Sequence, residues 1–279
     1  MNRPTVVSMQ NAGVKRVVRL RRRRARDRER AFLIEGYREL LRAVEARLPL
    51  ETIYHCPAFY LGGNEPALLD RARGDCGAEL VPADDEVFAK LSYRDRPDGL
   101  LAVAPMPDWT IDGLPEPPAA PLYVVATAIE KPGNLGTLLR TADAVDAAGL
   151  IVCDPVTDLF NPNVVRASVG TLFTVPAAQA GAEATRRWLA TSGVRTVVTT
   201  PAAERCYTDH DLTGAVAVVL GNEQFGLDHA WLTGADAAVS IPMLGRADSV
   251  NVAMAGAALL FEALRQRRQA AATSGKGRR

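Results

Sequence analysis

The stretch Glu130-Lys131-Pro132-Gly133-Asn134-Leu135-Gly136-Thr137-Leu138-Leu139-Arg140-Thr141-Ala142 follows directly on the apolar run Leu122 to Ile129. The run reads as a buried strand, and Leu135, Leu138, Leu139, Ala142 and Val145 then recur at helical spacing. Strand, glycine-bearing turn and helix in that order open an α/β domain. Asn134 is expected to cap the helix and Gly149 to stop it. At about 100° per residue, Arg140 projects almost opposite the apolar stripe, away from the helix's own core. A solvated arginine is the ordinary reading of such a position. The turn matches neither G-x-x-x-x-G-K-[ST] nor G-x-G-x-x-G, which argues against nucleotide hydrolysis and against a dinucleotide fold.

Further apolar runs follow at Leu150 to Cys153, Leu172 to Pro176, Val194 to Thr200, Ala215 to Leu220 and Ala237 to Ile241. They are near-continuous rather than alternating, with helical stretches between several of them. That pattern predicts a mostly parallel sheet covered on both faces. Two polar clusters stand at the ends of these runs. Gly221-Asn222-Glu223-Gln224-Phe225-Gly226-Leu227 is a glycine-flanked turn that exposes a carboxylate and lets backbone approach a ligand. Ile241 to Ala258 ends a strand at Pro242, passes through a polar loop, and is expected to start a buried helix at Ser249. Asn251 within that helix needs a partner, since an unsatisfied buried amide costs on the order of 1–3 kcal/mol.

Toward the amino terminus, Ala31 to Gly36, Leu50 to Cys56, Glu79 to Pro82 and Gly99 to Ala104 read as strands. Tyr37 to Arg47, Glu65 to Arg73 and Asp84 to Ser92 read as helices, the last opened by an acidic cap. The expected organisation is a basic arm and small α/β domain over 1–104, a proline-rich linker over 105–121, a second domain over 122–268 and a flexible tail over 269–279. Between residues 15 and 30, ten lysines and arginines stand against Asp27 and Glu29, although the whole chain is only +1. Such segregation suits a polyanion, and Arg19, Arg21, Arg22, Arg23, Arg24 and, further on, Arg166 are the candidate RNA contacts. A solvated helix face is the competing reading of the arm. Four scattered cysteines and three histidines give neither a disulfide framework nor a zinc pattern, so no metal is expected. With no apolar run long enough to cross a bilayer, a cytoplasmic protein is expected.

In order and spacing, Asn134 through Arg140, Gly221 through Leu227 and Ile241 through Ala253 resemble the three motifs of the SpoU (TrmH) branch of the SPOUT RNA 2′-O-ribose methyltransferases. Asn161-Pro162-Asn163-Val164-Val165-Arg166-Ala167-Ser168-Val169-Gly170 is also similar to that family. The resemblance implies a deep trefoil knot in the second domain. It implies also that the first domain resembles a ribosomal protein of the L30e type and binds RNA. S-adenosyl-L-methionine is the implied cofactor, held by Thr199, Thr200, Leu220, Gly221, Asn222, Ile241, Met243, Ser249, Val250, Asn251 and Ala253. The implied catalytic set is Arg140, Asn134, Glu223, Ser249 and Asn251, with Glu223 orienting Arg140, in a homodimer acting on 23S rRNA. Similarity to actinomycete resistance enzymes adds protection against a ribosome-targeting antibiotic such as avilamycin. Gln224 and Phe225 depart from the small or charged residues commoner in the second motif. A tRNA target and a non-catalytic ribosome-assembly protein remain the alternatives, the latter predicting no cofactor affinity.

Overall fold

A computed structural model describes residues 5–276; residues 1–4 of the expected arm and 277–279 of the expected tail lie outside the described residues. The chain divides into two compact units, one comprising 1–108 and 158–174, the other 109–157 and 175–279.

The first unit opens with helices α1 (Ala12–Leu20) and α2 (Arg23–Glu29). Val14, Val17 and Leu20 recur at helical spacing and are buried, so the basic arm is a folded part of this core. The rest alternates β1 (Ala31–Glu35), α3 (Tyr37–Glu45), β2 (Thr52–His55), α4 (Glu65–Cys76), β3 (Glu79–Pro82), α5 (Asp85–Leu91) and β4 (Leu100–Pro105). The strand order is β1-β4-β2-β3, with only the β2/β3 pair parallel. Asp84 caps α5 through Val87 N–H, the acidic cap legible in the sequence.

Residues 158–174 complete this unit. Helix α7 (Pro162–Ser168) packs on β1. The Phe32 ring, fully buried, sits 4.9 Å from the Phe160 ring and 6.3 Å from that of Phe173. Arg26, 1% exposed, pairs with Asp158 at 2.6 Å. Gly170 has φ +86°, and a Cβ there would lie 2.7 Å from Arg42 Cγ, so only glycine lets this segment close against α3.

The second unit is a six-stranded, all-parallel sheet. Its strands are β5 (Leu122–Thr127), β6 (Gly149–Cys153), β7 (Ala177–Ala180), β8 (Arg195–Thr199), β9 (Val216–Leu220) and β10 (Ala237–Val239), in the order β10-β8-β9-β5-β6-β7. The central strands β5, β6 and β9 are buried at every position, as continuous apolar runs require of a sheet covered on both sides. Helices α6 (Pro132–Ala144) and α10 (Val252–Lys276) pack on each other, and α10 also packs on β9. Helices α8 (Ala182–Thr191) and α9 (His229–Gly234) complete the unit. Among the described residues no helix is long and apolar enough to cross a membrane.

Several local expectations need correction. The apolar run Leu172 to Pro176 is a 3-10 turn rather than a strand, because Phe173 is drawn into the first core; β7 begins only at Ala177. Gly149 does not stop α6, which ends at Ala144, but opens β6, where a Cβ would lie 3.2 Å from the Tyr123 ring. The last helix starts at Val252 rather than Ser249 and runs to Lys276, through most of the stretch expected to be a tail. Within the proline-rich segment, Ile111 is buried in the second core and Trp109 accepts from Gln179 N–H, so that stretch is partly anchored.

Candidate active site

At the carboxyl ends of β8 and β9 lies a cleft of about 580 Å³. Crevices beyond the strand ends of open parallel sheets are where such folds place ligands. Thr199, Thr200, Leu220, Gly221, Asn222, Ile241, Met243, Ser249, Val250 and Asn251 line it; Ala253, expected with them, is buried in the first turn of α10 and does not. Lys131, Leu232 and Asp248 also line it without having been singled out from the sequence.

The glycine turn is built to hold one shape. Asn222 and Gly226 exchange two backbone hydrogen bonds of 3.0 Å. The Asn222 Oδ1 accepts from Gln224 and Phe225 N–H, and its Nδ2 donates to Ala128 O at 2.8 Å and Glu130 Oε1 at 3.1 Å. A Cβ at Gly221 would stand 2.7 Å from both the Gly226 oxygen and Leu227 N, so the turn closes only over glycine. Phe225, the departure noted in the motif, projects with 78% of its surface exposed.

The turn presents Glu223 to the start of α6. Its carboxylate accepts from Glu130 N–H (3.1 Å), Lys131 N–H (3.2 Å) and Asn134 Nδ2 (2.7 Å). A carboxylate there also meets the positive end of the helix dipole. Partial burial opposes its charge, but the Glu130 N–H and the Asn134 amide outweigh that and hold the carboxyl below the usual glutamate range. Asn134 is therefore not the cap of α6, which begins at Pro132. Its side chain lies inside the first turn and turns back as a bridge, its Oδ1 accepting from Asn251 Nδ2 at 3.0 Å. Asn251 in turn caps α10, accepting from Ala253 N–H at 2.9 Å. The partner that the sequence demanded for Asn251 is thus Asn134, and Glu223, Asn134 and Asn251 form one chain joining three separate motifs.

Arg140 and Ser249 stand outside that chain. Arg140 is exposed, six residues beyond Asn134, or about 9 Å along the helix. It has no hydrogen-bond or ionic partner among the described residues and does not line the cleft. The expected orientation of Arg140 by Glu223 is not made, because all the Glu223 contacts go to the start of α6. Ser249 lines the cleft, exposed and without a hydrogen bond among the described residues. Of the candidate RNA contacts, Arg22, Arg24 and Arg166 are exposed, while Arg19 pairs with Glu29 and Arg23 with Asp27. Arg21 instead donates to the carbonyls of Lys90, Leu91 and Ser92 at the end of α5, a structural task. Among the described residues no cluster of three His, Cys, Asp or Glu side chains could hold a metal ion.

Comparison with known proteins places both units. The model of the SpoU rRNA Methylase family matches residues 121–261, and that of the MRM3-like substrate binding domain matches residues 11–102. The chain is 34% identical over 251 residues to the 23S rRNA (uridine(2479)-2′-O)-methyltransferase of Streptomyces viridochromogenes, covering 88% of this chain and 86% of that one. The AdoMet-bound rRNA methyltransferase of Sinorhizobium meliloti superposes with a TM-score of 0.85 at 31% identity, over 94% of this chain and 97% of that one. The SpoU methyltransferase AviRb of S. viridochromogenes, in complex with AdoMet, gives 0.84 at 32% identity, over 93% of this chain and all of its own. Having its three motifs joined at one cleft and the matched family model spanning the whole parallel sheet, the chain belongs to the SpoU rRNA methylase family.

Proposed function

We propose that this chain transfers the methyl group of S-adenosylmethionine to a ribose 2′-hydroxyl of 23S rRNA. The observation that carries the reading is the convergence of Glu223, Asn134 and Asn251 on the rim of a cleft, in a chain 34% identical to an enzyme of that activity.

The cleft suits the cofactor. Its volume is that of a small-molecule site. Thr199 Oγ1 is buried without a partner beside it, a polar group left for a ligand to satisfy. Leu220, Ile241 and Val250 supply apolar lining, and the backbone about Gly221 supplies close polar groups. When bound, S-adenosylmethionine supplies an electrophilic methyl group. Glu223, Asn134 and Asn251 keep the glycine turn and the two helix starts in register, so the cleft is preorganised.

A ribose hydroxyl is barely ionised at neutral pH, so the oxygen must be positioned and its growing negative charge stabilised. A guanidinium does not give up its proton in proteins, which makes Arg140 a fixed cation for the adjacent phosphate or forming alkoxide rather than a base. Water or a phosphate oxygen then accepts the proton, and Ser249 is free to hold the ribose. Since Arg140 does not line its own cleft, we assign it to the cleft of a second copy. Met254 and Phe261 are 56% and 50% exposed and seven residues apart on α10, and with Ala257 and Ala258 they form the apolar stripe expected of the homodimer.

Primer extension at low nucleotide concentration on rRNA from cells with and without the protein is expected to show one new stop in 23S rRNA. Arg140→Ala should lower methylation at least a hundredfold with cofactor affinity unchanged. Near wild-type methylation by that variant would remove the assignment, a stop only in tRNA would change the substrate, and sedimentation of an active monomer would end the dimer reading. The same strains, plated on avilamycin, test whether the modification protects the ribosome.

A further inference from the structure

The first unit has its own cavity, of about 490 Å³, which the methyl-transfer chemistry does not use. It lies where α3 and α4 begin, and Tyr37, Arg38, Leu61, Asn64, Glu65 and Asp98 are among its lining residues. Two of these are buried carboxylates with an oxygen to spare. Glu65, 3% exposed, accepts from Leu61 and Gly62 N–H through Oε1, while its Oε2 has no partner. Asp98, 7% exposed, accepts from Tyr37 N–H and Arg94 Nη1 through Oδ2, while its Oδ1 has none. Buried acceptors are normally satisfied, and two unpaired ones on residues of one cavity, each almost closed to solvent, point to a ligand rich in donors.

The other lining groups narrow the choice. Asn64 occupies the cap position of α4 without using its side chain for the cap, so the amide is free. Tyr37 is half-buried and offers a flat ring, and Leu61, lining the same cavity, is 82% exposed. Arg38 is exposed at the cavity, and Arg166 is exposed on α7, which packs against α3. Arg94 also lines the cavity but is engaged by Glu39 and Asp98, so Glu39, Glu65 and Asp98 together leave the interior acidic and unfavourable to a phosphate, whereas the exposed arginines hold one outside. A flat group with adjacent donors, carried on a phosphate chain, fits both facts. Among nucleobases guanine alone presents an N–H and an amino group side by side on its pairing edge, with a carbonyl acceptor next to them.

We propose that this cavity binds one unstacked guanine of the substrate RNA. Glu65 and Asp98 supply the acceptors for its N1–H and amino group, Asn64 donates to its carbonyl, and Tyr37 lies against its face. Sequence-specific RNA recognition works on such splayed bases. The inference rests on the reading of the chain as an RNA-modifying enzyme.

The test uses the full chain and three oligoribonucleotides, UUGUU, UUIUU and UUAUU, with binding read by fluorescence anisotropy. Inosine lacks only the amino group. Wild type should bind UUGUU about tenfold more tightly than UUAUU, with UUIUU between them. Glu65→Gln keeps an oxygen for the Leu61 and Gly62 N–H groups and turns the free acceptor into a donor. It should erase the preference while leaving S-adenosylmethionine affinity and the unfolding temperature unchanged. Should Glu65→Gln fold poorly, Asn64→Ala, at an exposed position, should still weaken UUGUU severalfold and leave UUAUU alone. Equal binding of the three oligonucleotides by wild type overturns the proposal, as does a preference that survives both variants. Methylation of rRNA without guanine preference sinks this inference alone; guanine preference without methylation sinks the enzymatic reading alone.

Discussion

Replacing Asn134 by aspartate separates the two jobs of its side chain. The Oδ1 that accepts from Asn251 is kept, while the Nδ2 that donates to Glu223 at 2.7 Å becomes an oxygen facing an oxygen. Asn134→Ala loses one bond to a carboxylate and one neutral bond, together about 2–4 kcal/mol of anchoring. Unfolding should then fall by roughly 5–10 °C. Asn134→Asp loses the first bond and adds a like charge, which two carboxylates sharing a site relieve only by taking up a proton. At alkaline pH the aspartate variant should therefore bind S-adenosylmethionine more weakly than the alanine variant, and the order should reverse as pH falls into the carboxylate range. Adding Glu223→Gln to Asn134→Asp should restore much of the loss, a coupling a double-mutant cycle measures directly. Calorimetric titration of the cofactor at pH about 8 and about 5, with thermal unfolding alongside, is the assay. Wild-type affinity in Asn134→Asp at the higher pH would refute the bridge.

Gly221→Ala should abolish cofactor binding with little effect on the first unit, because the new Cβ strikes backbone at Gly226 and Leu227; titration of the variant decides it. Asp158→Ala leaves the Arg26 guanidinium, 1% exposed, without its carboxylate and should cost about 3–5 kcal/mol, read by denaturant unfolding, whereas Arg26→Met with Asp158→Leu should recover only part of it, since the Leu20 and Arg21 carbonyls lose their donor. Glu223, its carboxyl held below the usual 4.5, stabilises the fold above that pH, and the contribution fades as pH falls through its folded-state value. The stability gap between wild type and Glu223→Gln should accordingly be full at neutral pH and vanish in acid.

Much of this was legible in order along the chain. The parallel sheet declared itself because strands buried on both faces must be apolar throughout, and the three polar clusters fall where those strands stop. What could not be read was which polar group meets which. Asn134 has the chemistry of a cap, yet its partners Glu223 and Asn251 lie 89 and 117 residues away, and only closure of the fold decides between capping and bridging. The basic arm shows the same limit. Its charge density was plain, but the burial of Arg26 and the commitment of Arg21 depend on Asp158 and the end of α5, neither of which is local. Arg140 was read correctly as leaving its helix, and its distance from its own cleft emerged only from the structure.

The packing of residues 158–174 into the first unit sets an order of events during synthesis. Domains usually finish folding as they leave the ribosome, amino-terminal one first. Here Phe32 stays uncovered until Phe160 and Phe173 have been made, after β5, α6 and β6 have already emerged. From Phe32 to Phe173 at ordinary elongation speeds that wait is roughly 7–28 s. During it a nascent chain carries an open aromatic pocket and an Arg26 without its carboxylate, a surface that a chaperone can hold and that a ribosome pausing near residue 158 would leave exposed.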